Sequence, residues 1–293
     1  MIYDYIIVGA GPAGSTLAYC LQRQGAVCLL IEKLPYRNEK ICGGLLTHTG
    51  RKLLEEIGIE CDPLLQAGGQ VIRRFVFEKT TGFKRHIYRE GEYGIGTSRH
   101  TLDSYLLQQA LNAGTRLCSG EIVRTFQREG EVFFVNTHQA RHLVLATGAC
   151  GLPPLTSKSL LQRQSFGISA HITGETTLAD DEVIFCYVGH GLNYFWFIPI
   201  GKKLWNIGIW FSQKPRVPLV MFYQYMTMYV IPRFTSLKYL IQPRGAYCGN
   251  VDIAGELGCH GVGDVAGNNR SYSGEGLRYA IESAIFFSRN FAV

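Results

Sequence analysis

The chain has 293 residues, of which 46% are hydrophobic and 12% aromatic, enough for a sizeable buried core. Its 29 basic and 23 acidic side chains give a net charge of +6, and Lys and Arg are scattered along the sequence. The basic stripe with interleaved aromatic residues that is typical of nucleic-acid binding is missing, so we expect no nucleic-acid partner.

The first predicted element is a strand over residues 3–8, followed by a glycine-rich turn and a helix over residues 15–24. The turn has the pattern Gly-x-Gly-x-x-Gly and consists of Gly9, Ala10, Gly11, Pro12, Ala13 and Gly14. Its first glycine permits a tight turn, its second leaves room for a pyrophosphate, and its third lets the helix pack closely on the strand. The helix N-terminus then offers N–H groups to the phosphates.

A second predicted strand, residues 27–31, ends on Glu32, and Lys33 follows. An acidic residue at this distance from the glycine turn is placed to accept hydrogen bonds from an adenosine ribose. Two strands, a helix and a terminal acid around the turn therefore predict a dinucleotide-binding unit. This unit alone leaves NAD and FAD both open.

The next motifs lie in a loop and at the start of a helix. Lys40-Ile41-Cys42-Gly43-Gly44 is a loop in which the backbone can pass close to a ligand. Residues 71–97 are strand-like and are assigned to a second sheet. A helix is predicted over residues 102–113, with Arg99 and Asp103 near its start.

The middle of the chain is predicted to be rich in strands. Strands near 121–127 and 131–137 are predicted to form a β-meander that leads to a buried strand and to Ala146-Thr147-Gly148. Further on, the predicted elements are strands near 165–173, 182–188, 194–200 and 204–211 and a helix near 218–230.

The strand near 194–200 carries the aromatic run Tyr-Phe-Trp-Phe-Ile-Pro. Because side chains alternate along a strand, Tyr194, Trp196 and Ile198 share one face, which we expect to lie towards the cofactor. Phe195 and Phe197 face the other way and are expected in the core.

Two motifs close the chain. Gly263 and Asp264 place an acid between glycines, and Ser273-Gly274-Glu275-Gly276 precedes a predicted helix over residues 277–287.

These motifs, in this order, resemble the FAD-containing oxidoreductase superfamily that includes the p-hydroxybenzoate hydroxylase-like enzymes. A simple NAD dehydrogenase would not need motifs spread from one end of the chain to the other. The resemblance implies FAD as the cofactor, with Arg99 beside it, Asp264 at its ribityl chain, and the later turn and helix near its flavin and pyrophosphate. The expected FAD-binding residues are Gly9, Gly11, Pro12, Ala13, Gly14, Glu32, Lys33, Arg99, Ala146, Thr147, Gly148, Gly263, Asp264, Gly274 and Gly276.

The implied fold class is α/β, a Rossmann-like FAD-binding domain of the p-hydroxybenzoate hydroxylase type with an inserted α+β substrate domain built on an antiparallel sheet. The FAD-binding domain is predicted to be discontinuous and the substrate domain to come from two segments. The predicted ranges are 1–70, 98–150 and 256–293 for the first domain, and 71–97 and 151–255 for the second.

The Cys-Gly-Gly and Tyr-x-Trp segments narrow the resemblance to the geranylgeranyl reductase family of flavoproteins. In that family a Cys-Gly-Gly segment faces the flavin, and the aromatic motif lines the substrate cavity. The resemblance implies reduction of a carbon–carbon double bond in an isoprenoid-like or other hydrophobic substrate, with electrons from NAD(P)H or a reduced carrier. The residues it assigns to the catalytic site are Cys42, Gly43, Gly44, Tyr194 and Trp196.

Two departures keep other functions open. Ile198 stands where the family usually has Phe, which brings the motif within one residue of the Trp-x-Trp-x-Ile-Pro of flavin-dependent halogenases. The chain also ends at Val293, whereas typical members continue, so we expect a smaller or more open cavity. The alternatives are a flavin-dependent monooxygenase or halogenase, and a non-catalytic flavoprotein.

The nine cysteines predict neither disulfides nor a metal site. Their number is odd, none forms Cys-x-x-Cys, and several lie in apolar runs. Free thiols, a start directly on a strand and no apolar run of about 20 residues favour a cytoplasmic protein. The mild positive charge suits peripheral membrane contact, and it is also what a solvated surface gives by chance.

Overall fold

The computed structural model describes residues 1–35, 40–79, 81–150, 165–188, 193–248, 258–267 and 275–291. The strands of these residues are β1 (Ile2–Val8), β2 (Cys28–Glu32), β3 (Leu45–Leu46), β4 (Gln70–Ile72), β5 (Arg74–Lys79), β6 (Gly82–Ile87), β7 (Gly94–Gly96), β8 (Arg116–Ser119), β9 (Phe126–Glu129), β10 (Val132–Val135), β11 (His138–Leu145), β12 (Ser165–Thr173), β13 (Glu182–Tyr187), β14 (Tyr194–Gly201), β15 (Leu204–Phe211), β16 (Lys238–Cys248) and β17 (His260–Gly261). The α-helices are α1 (Pro12–Arg23), α2 (His48–Glu56), α3 (Asp62–Gln66), α4 (Arg99–Asn112), α5 (Pro218–Tyr225) and α6 (Gly276–Asn290).

The first sheet is built around parallel strands in the order β8-β2-β1-β11, with β17 paired in parallel on β11. The strands β9, β10 and β11 form the predicted antiparallel meander, but its first strand is Phe126–Glu129 and not residues 121–127. Strand β1 is buried along Tyr5–Val8, as expected for a parallel strand covered on both faces. Helices α1, α4 and α6 pack together on this sheet. The predicted Rossmann-like class is confirmed.

The second sheet has the strand order β16-β12-β15-β14-β13-β5-β6. Its pairs are antiparallel except for β5 and β13, which run parallel. One face is covered by α5, whose Phe222 packs on Phe195, with ring centroids 5.8 Å apart. Phe195 and Phe197 are fully buried on this covered face. The opposite face of β14 carries Tyr194, Trp196 and Ile198, which are buried in a separate apolar cluster.

A small third sheet has the strand order β3-β7-β4. Its strands β3 and β4 precede β5 in the sequence, and β7 follows β6. The prediction placed all of residues 71–97 in one sheet, but only β5 and β6 join the large antiparallel sheet. The short strands β4 and β7 instead pair with each other and with β3, the strand after the Cys-Gly-Gly loop. The division of the chain into two domains stays a prediction.

Helix ends follow ordinary capping chemistry. Helix α1 begins at Pro12, earlier than the predicted residue 15, because proline fits the first helical position, where no N–H is needed. Helix α4 begins after Ser98, whose hydroxyl accepts a hydrogen bond from the Thr101 N–H at 3.0 Å. In the described part of the chain, no helix combines the length and hydropathy that a membrane crossing requires.

Candidate functional site

The glycine turn lies where the parallel strands of the first sheet end. Gly9 has φ +105, and a Cβ there would lie 2.5 Å from the carbonyl oxygen of Ala146. A Cβ at Gly14 would overlap the Gly9 carbonyl oxygen and approach the Ala146 methyl to 3.1 Å. Both glycines are therefore required by the close packing of β1, α1 and the end of β11.

Gly11 differs from Gly9 and Gly14 because the space beside it is open. A Cβ there would come near one side-chain atom only, the Lys40 ammonium at 3.3 Å. The N-terminus of α1 begins at the next residue. An open cradle beside helix N–H groups and an ammonium is suited to a pyrophosphate.

Glu32 is held towards the same turn. Its Oε2 accepts a hydrogen bond from the Ala10 N–H at 2.9 Å, and its Oε1 accepts one from the Leu34 N–H at 3.2 Å. The carboxylate therefore has a fixed orientation at the end of β2, the position from which the sequence predicts a contact with ribose. Lys33, the next residue, is exposed.

The C-terminal motif returns to the glycine turn. A Cβ at Gly263 would lie 3.1 Å from the Ala13 methyl, and the Gly263 N–H donates a hydrogen bond to the Ser283 hydroxyl of α6 at 2.9 Å. Gly263 has φ +73, so the turn before Asp264 favours glycine. Gly276 is the first residue of α6, whereas Gly274 lies outside the described residues.

The end of β11 contributes an unpaired polar atom. The Thr147 hydroxyl is buried with no hydrogen-bond partner among the described residues. The Thr147 backbone nitrogen would lie 3.3 Å from a Cβ on Gly9. Buried polar groups are nearly always paired, so this hydroxyl is available to a ligand beside the glycine turn. Gly148 follows with φ +73.

Arg99 and Cys42, which come from different motifs, are in contact. The Arg99 guanidinium binds both carboxylate oxygens of Asp103, at 2.8 and 2.9 Å, and donates a hydrogen bond to the Cys42 thiol. Burial acts to lower the pKa of Arg99, but the Asp103 carboxylate and the Cys42 sulfur raise it by more, so the group keeps its charge.

The Cys-Gly-Gly loop lies against the aromatic face of β14. A Cβ at Gly43 would come within 2.6 Å of Ile198 Cδ1 and 3.7 Å of Trp196 Nε1. On β15, a Cβ at Gly208 would overlap the Trp196 indole, so this glycine makes room for the ring. The loop therefore lies directly against Trp196 and Ile198 at Gly43, and Gly208 leaves room for the Trp196 ring on the neighbouring strand.

Tyr194 extends this aromatic face. Its ring stacks on Trp210, with centroids 5.5 Å apart, and the Trp210 Nε1–H is buried with no partner among the described residues. Burial raises the pKa of Tyr194, so its phenol stays protonated at neutral pH.

Asn206 links the aromatic face to the loop. Its Oδ1 accepts a hydrogen bond from Trp196 Nε1–H at 2.8 Å, and its Nδ2 donates to the Cys42 carbonyl oxygen at 2.6 Å. The indole can only donate and the carbonyl can only accept, which fixes the amide orientation. The contact between Asn206 Nδ2 and His171 Nε2 at 3.0 Å then requires a neutral His171 that accepts at Nε2.

The sequence reasoning missed Asn206, His171 and Lys40. Asn206 and His171 are nearly inaccessible to solvent. Asn206 interrupts the otherwise apolar strand β15, which was an available signal because buried polar groups need partners. His171 gave no such signal, because β12 also carries Ser165, Ser169 and Thr173. Lys40 lies in the predicted loop motif, but its approach to Gly11 follows only from the fold.

Residues 3–141 match the family described as an FAD binding domain. The match covers just under half of the chain and shows an FAD-binding domain in that part of it. The open cradle at Gly11, the fixed Glu32 carboxylate and the unpaired Thr147 hydroxyl fit this cofactor, so the predicted FAD is confirmed. FAD-dependent oxidoreductases in general need a redox substrate and an electron donor.

Two curated relatives show the range of similar sequences. The menaquinone reductase of Mycobacterium tuberculosis is 24% identical over 96% of this chain and 74% of its own length. The digeranylgeranylglycerophospholipid reductase of Methanocaldococcus jannaschii is 27% identical, over 46% of this chain and 33% of its own length.

Two solved structures share the fold. A geranylgeranyl bacteriochlorophyll reductase-like protein from Thermoplasma acidophilum has a TM-score of 0.77 at 20% identity, covering 98% of this chain and 77% of its own. The flavin-dependent brominase Bmp2 has the same TM-score at 18% identity, covering 98% of this chain and 78% of its own. The predicted resemblance to geranylgeranyl reductases is confirmed.

Proposed function

We propose that the chain reduces a carbon–carbon double bond in an isoprenoid-like or other hydrophobic substrate. The observation that carries this proposal is the Asn206-centred network, which holds the Cys42–Gly44 loop against the aromatic face of β14. Reduced FAD supplies a hydride when it is bound. The named reductases among the similar proteins support this reaction class.

In this proposal the aromatic face binds the apolar substrate and excludes water from it. The rings of Tyr194 and Trp196 present π-faces that stabilise positive charge as it develops on an alkene carbon. Nearby, the Cys42 thiol is oriented by the charged Arg99, which donates to its sulfur. We assign Cys42 to positioning the alkene and to assisting its protonation.

The residues proposed for FAD binding are those of the glycine turn, Glu32, Arg99 and the turns at Ala146–Gly148 and Gly263–Asp264. The electron donor is proposed to be NAD(P)H or a reduced carrier. A halogenase or monooxygenase is the second candidate function, favoured by Ile198 in the aromatic motif and by the brominase fold.

The test uses the FAD-loaded protein, reduced without oxygen and mixed with lipids or quinones that carry isoprenoid chains. Flavin absorbance measures the reoxidation of the cofactor, and mass spectrometry detects the product by its gain of two hydrogens. Cys42→Ala and Trp196→Phe should each slow this reoxidation on the order of tenfold, the effect of losing a contact worth ~1.4 kcal/mol. FAD content should stay unchanged.

Trp205→Phe is the matched control, because Trp205 lies in the same sheet but in the core on the covered face. It should reoxidise at the parent rate. If Cys42→Ala and Trp196→Phe also keep that rate, the proposed site is wrong. If the protein instead forms an oxygenated or halogenated product in air with halide present, the reductase function is wrong and the second candidate function takes its place.

A further inference from the structure

Three potential metal ligands meet beside the first sheet, away from the Cys-Gly-Gly loop. Cys118 lies in β8, Glu121 lies two residues after that strand ends, and His138 is the first residue of β11. All three side chains are partly buried, and their ligand atoms lie within 4.8 Å of one another. His138 Nε2 is 3.7 Å from the Cys118 sulfur and 3.0 Å from Glu121 Oε2.

The arrangement does not match a catalytic triad. In a Cys–His–acid triad the thiol and the carboxylate bind opposite nitrogens of the imidazole. Here the sulfur and the carboxylate face the same nitrogen. The Cys118 thiol and His138 are instead both hydrogen-bonded to the Glu121 carboxylate. A cation placed between them would bind all three.

Two of the three separations between the ligand atoms are close to those of a tetrahedral zinc site. Zinc lies about 2.3 Å from sulfur and about 2.0–2.2 Å from nitrogen and oxygen ligands. A tetrahedral angle then separates sulfur and nitrogen by about 3.6 Å and nitrogen and oxygen by about 3.4 Å. The two separations in the structure lie within about 0.4 Å of these values.

The charges around the cluster also favour a cation. Within the described ranges, no Lys or Arg forms an ion pair with Glu121, whose Oε1 instead accepts a hydrogen bond from the Asn136 amide at 2.6 Å. This bond leaves Oε2 directed to His138. Cation binding would release the proton of the Cys118 thiol.

We propose that Cys118, Glu121 and His138 bind one divalent cation of the zinc class, with water as the fourth ligand. The cation would join the segment after β8 to the start of β11. The Glu121 N–H donates to the Glu32 carbonyl oxygen at 3.1 Å, so the cation would also brace the strand end that carries the ribose-binding carboxylate. Spacing along the sequence predicted no metal site, because the three ligands come from separate elements.

The test uses the full-length FAD-loaded protein, treated with chelator and titrated with Co²⁺ and Zn²⁺. We expect one ion per chain and a near-ultraviolet thiolate-to-cobalt absorption band. Cys118→Ser should abolish that band, and His138→Gln should weaken binding at least tenfold. Flavin absorbance and far-ultraviolet circular dichroism should stay unchanged and so exclude misfolding as the cause.

Cys259→Ser is the control, because Cys259 is also half-buried and packs against the same sheet but lies outside the cluster. It should bind metal like the parent. The proposal is overturned if the parent binds no stoichiometric ion, if the cobalt complex lacks the thiolate band, or if Cys118→Ser binds like the parent.

Discussion

At the scale of single residues, two glycines of the first turn have different physical roles. Gly11 has φ −73 and ψ −171, which any residue can adopt, and only the Lys40 side chain lies near its missing Cβ. Gly14 has no space for a Cβ at all. Gly11→Val should therefore fold but lose FAD, whereas Gly14→Val should lose ~1–3 kcal/mol or more of stability through overpacking. Flavin absorbance per chain and urea unfolding separate the two effects. Equal FAD content in Gly11→Val and the parent would contradict the placement of the pyrophosphate.

Asn206→Leu tests whether the amide positions the Cys42 loop. The substitution leaves the Trp196 N–H, the Cys42 carbonyl and His171 Nε2 without their partner, at ~1–3 kcal/mol for each buried unpaired group. We expect lower stability and at least tenfold faster alkylation of Cys42, measured by peptide mass spectrometry. Ile209→Val, on the covered face, lowers stability by ~1 kcal/mol without touching the loop and should leave that rate unchanged. An unchanged rate in Asn206→Leu would limit Asn206 to a purely structural role.

At the scale of elements, strands β1 and β11 carry a pH-dependent contact. The His142 ring stacks on Tyr5, with centroids 4.8 Å apart. Burial is the largest effect on the pKa of His142 and lowers it; Asp4 opposes this, whereas Arg141 and Arg128 lower the pKa further. The unfolded chain therefore takes up this proton at a higher pH than the folded chain. The contribution of the neutral His142 to the stability of the fold is complete above about pH 6.5 and falls as the pH drops through that value.

His142→Phe should keep the ring contact and remove this proton uptake. Between pH 7.5 and 5.5 the melting temperature of the parent should fall more than that of the variant, by on the order of 1 °C, because the group is partly exposed to solvent. His86→Phe on the exposed strand β6 is the control and should retain the parent's pH dependence. Parallel melting curves for parent and His142→Phe would contradict the assignment.

Element prediction succeeded where apolar periodicity was strong. Strand β12 has the predicted bounds, residues 165–173, since nearly all of it is buried. Strand β16 was not predicted, because Pro243 and Gly245 interrupt its pattern. It is the edge strand of its sheet, and an edge is where a strand tolerates proline. Local pattern therefore predicts central strands better than edge strands.

At the scale of the whole molecule, the sequence predicted the cofactor and the fold because each depends on motifs with local geometry. The contacts that assemble the proposed site are non-local: Asn206 and the Cys42 carbonyl are 164 residues apart. The sequence could indicate that both residues matter to a site, through a buried polar side chain and a glycine-rich loop. Their hydrogen bond follows only from the way β15 and the loop meet in three dimensions.

The parallel pairing of β5 with β13 has a consequence for synthesis of the chain. About 100 residues separate the end of β5 from the start of β13, which the ribosome takes roughly 5–20 s to add. Throughout that interval the edge of β5 that pairs with β13 lacks its partner, and β5 carries the apolar side chains of Phe75 and Val76. Such an edge pairs readily with other nascent chains. The supply of chaperones and a low growth temperature should therefore affect the yield of folded protein more than the stability of the finished fold does.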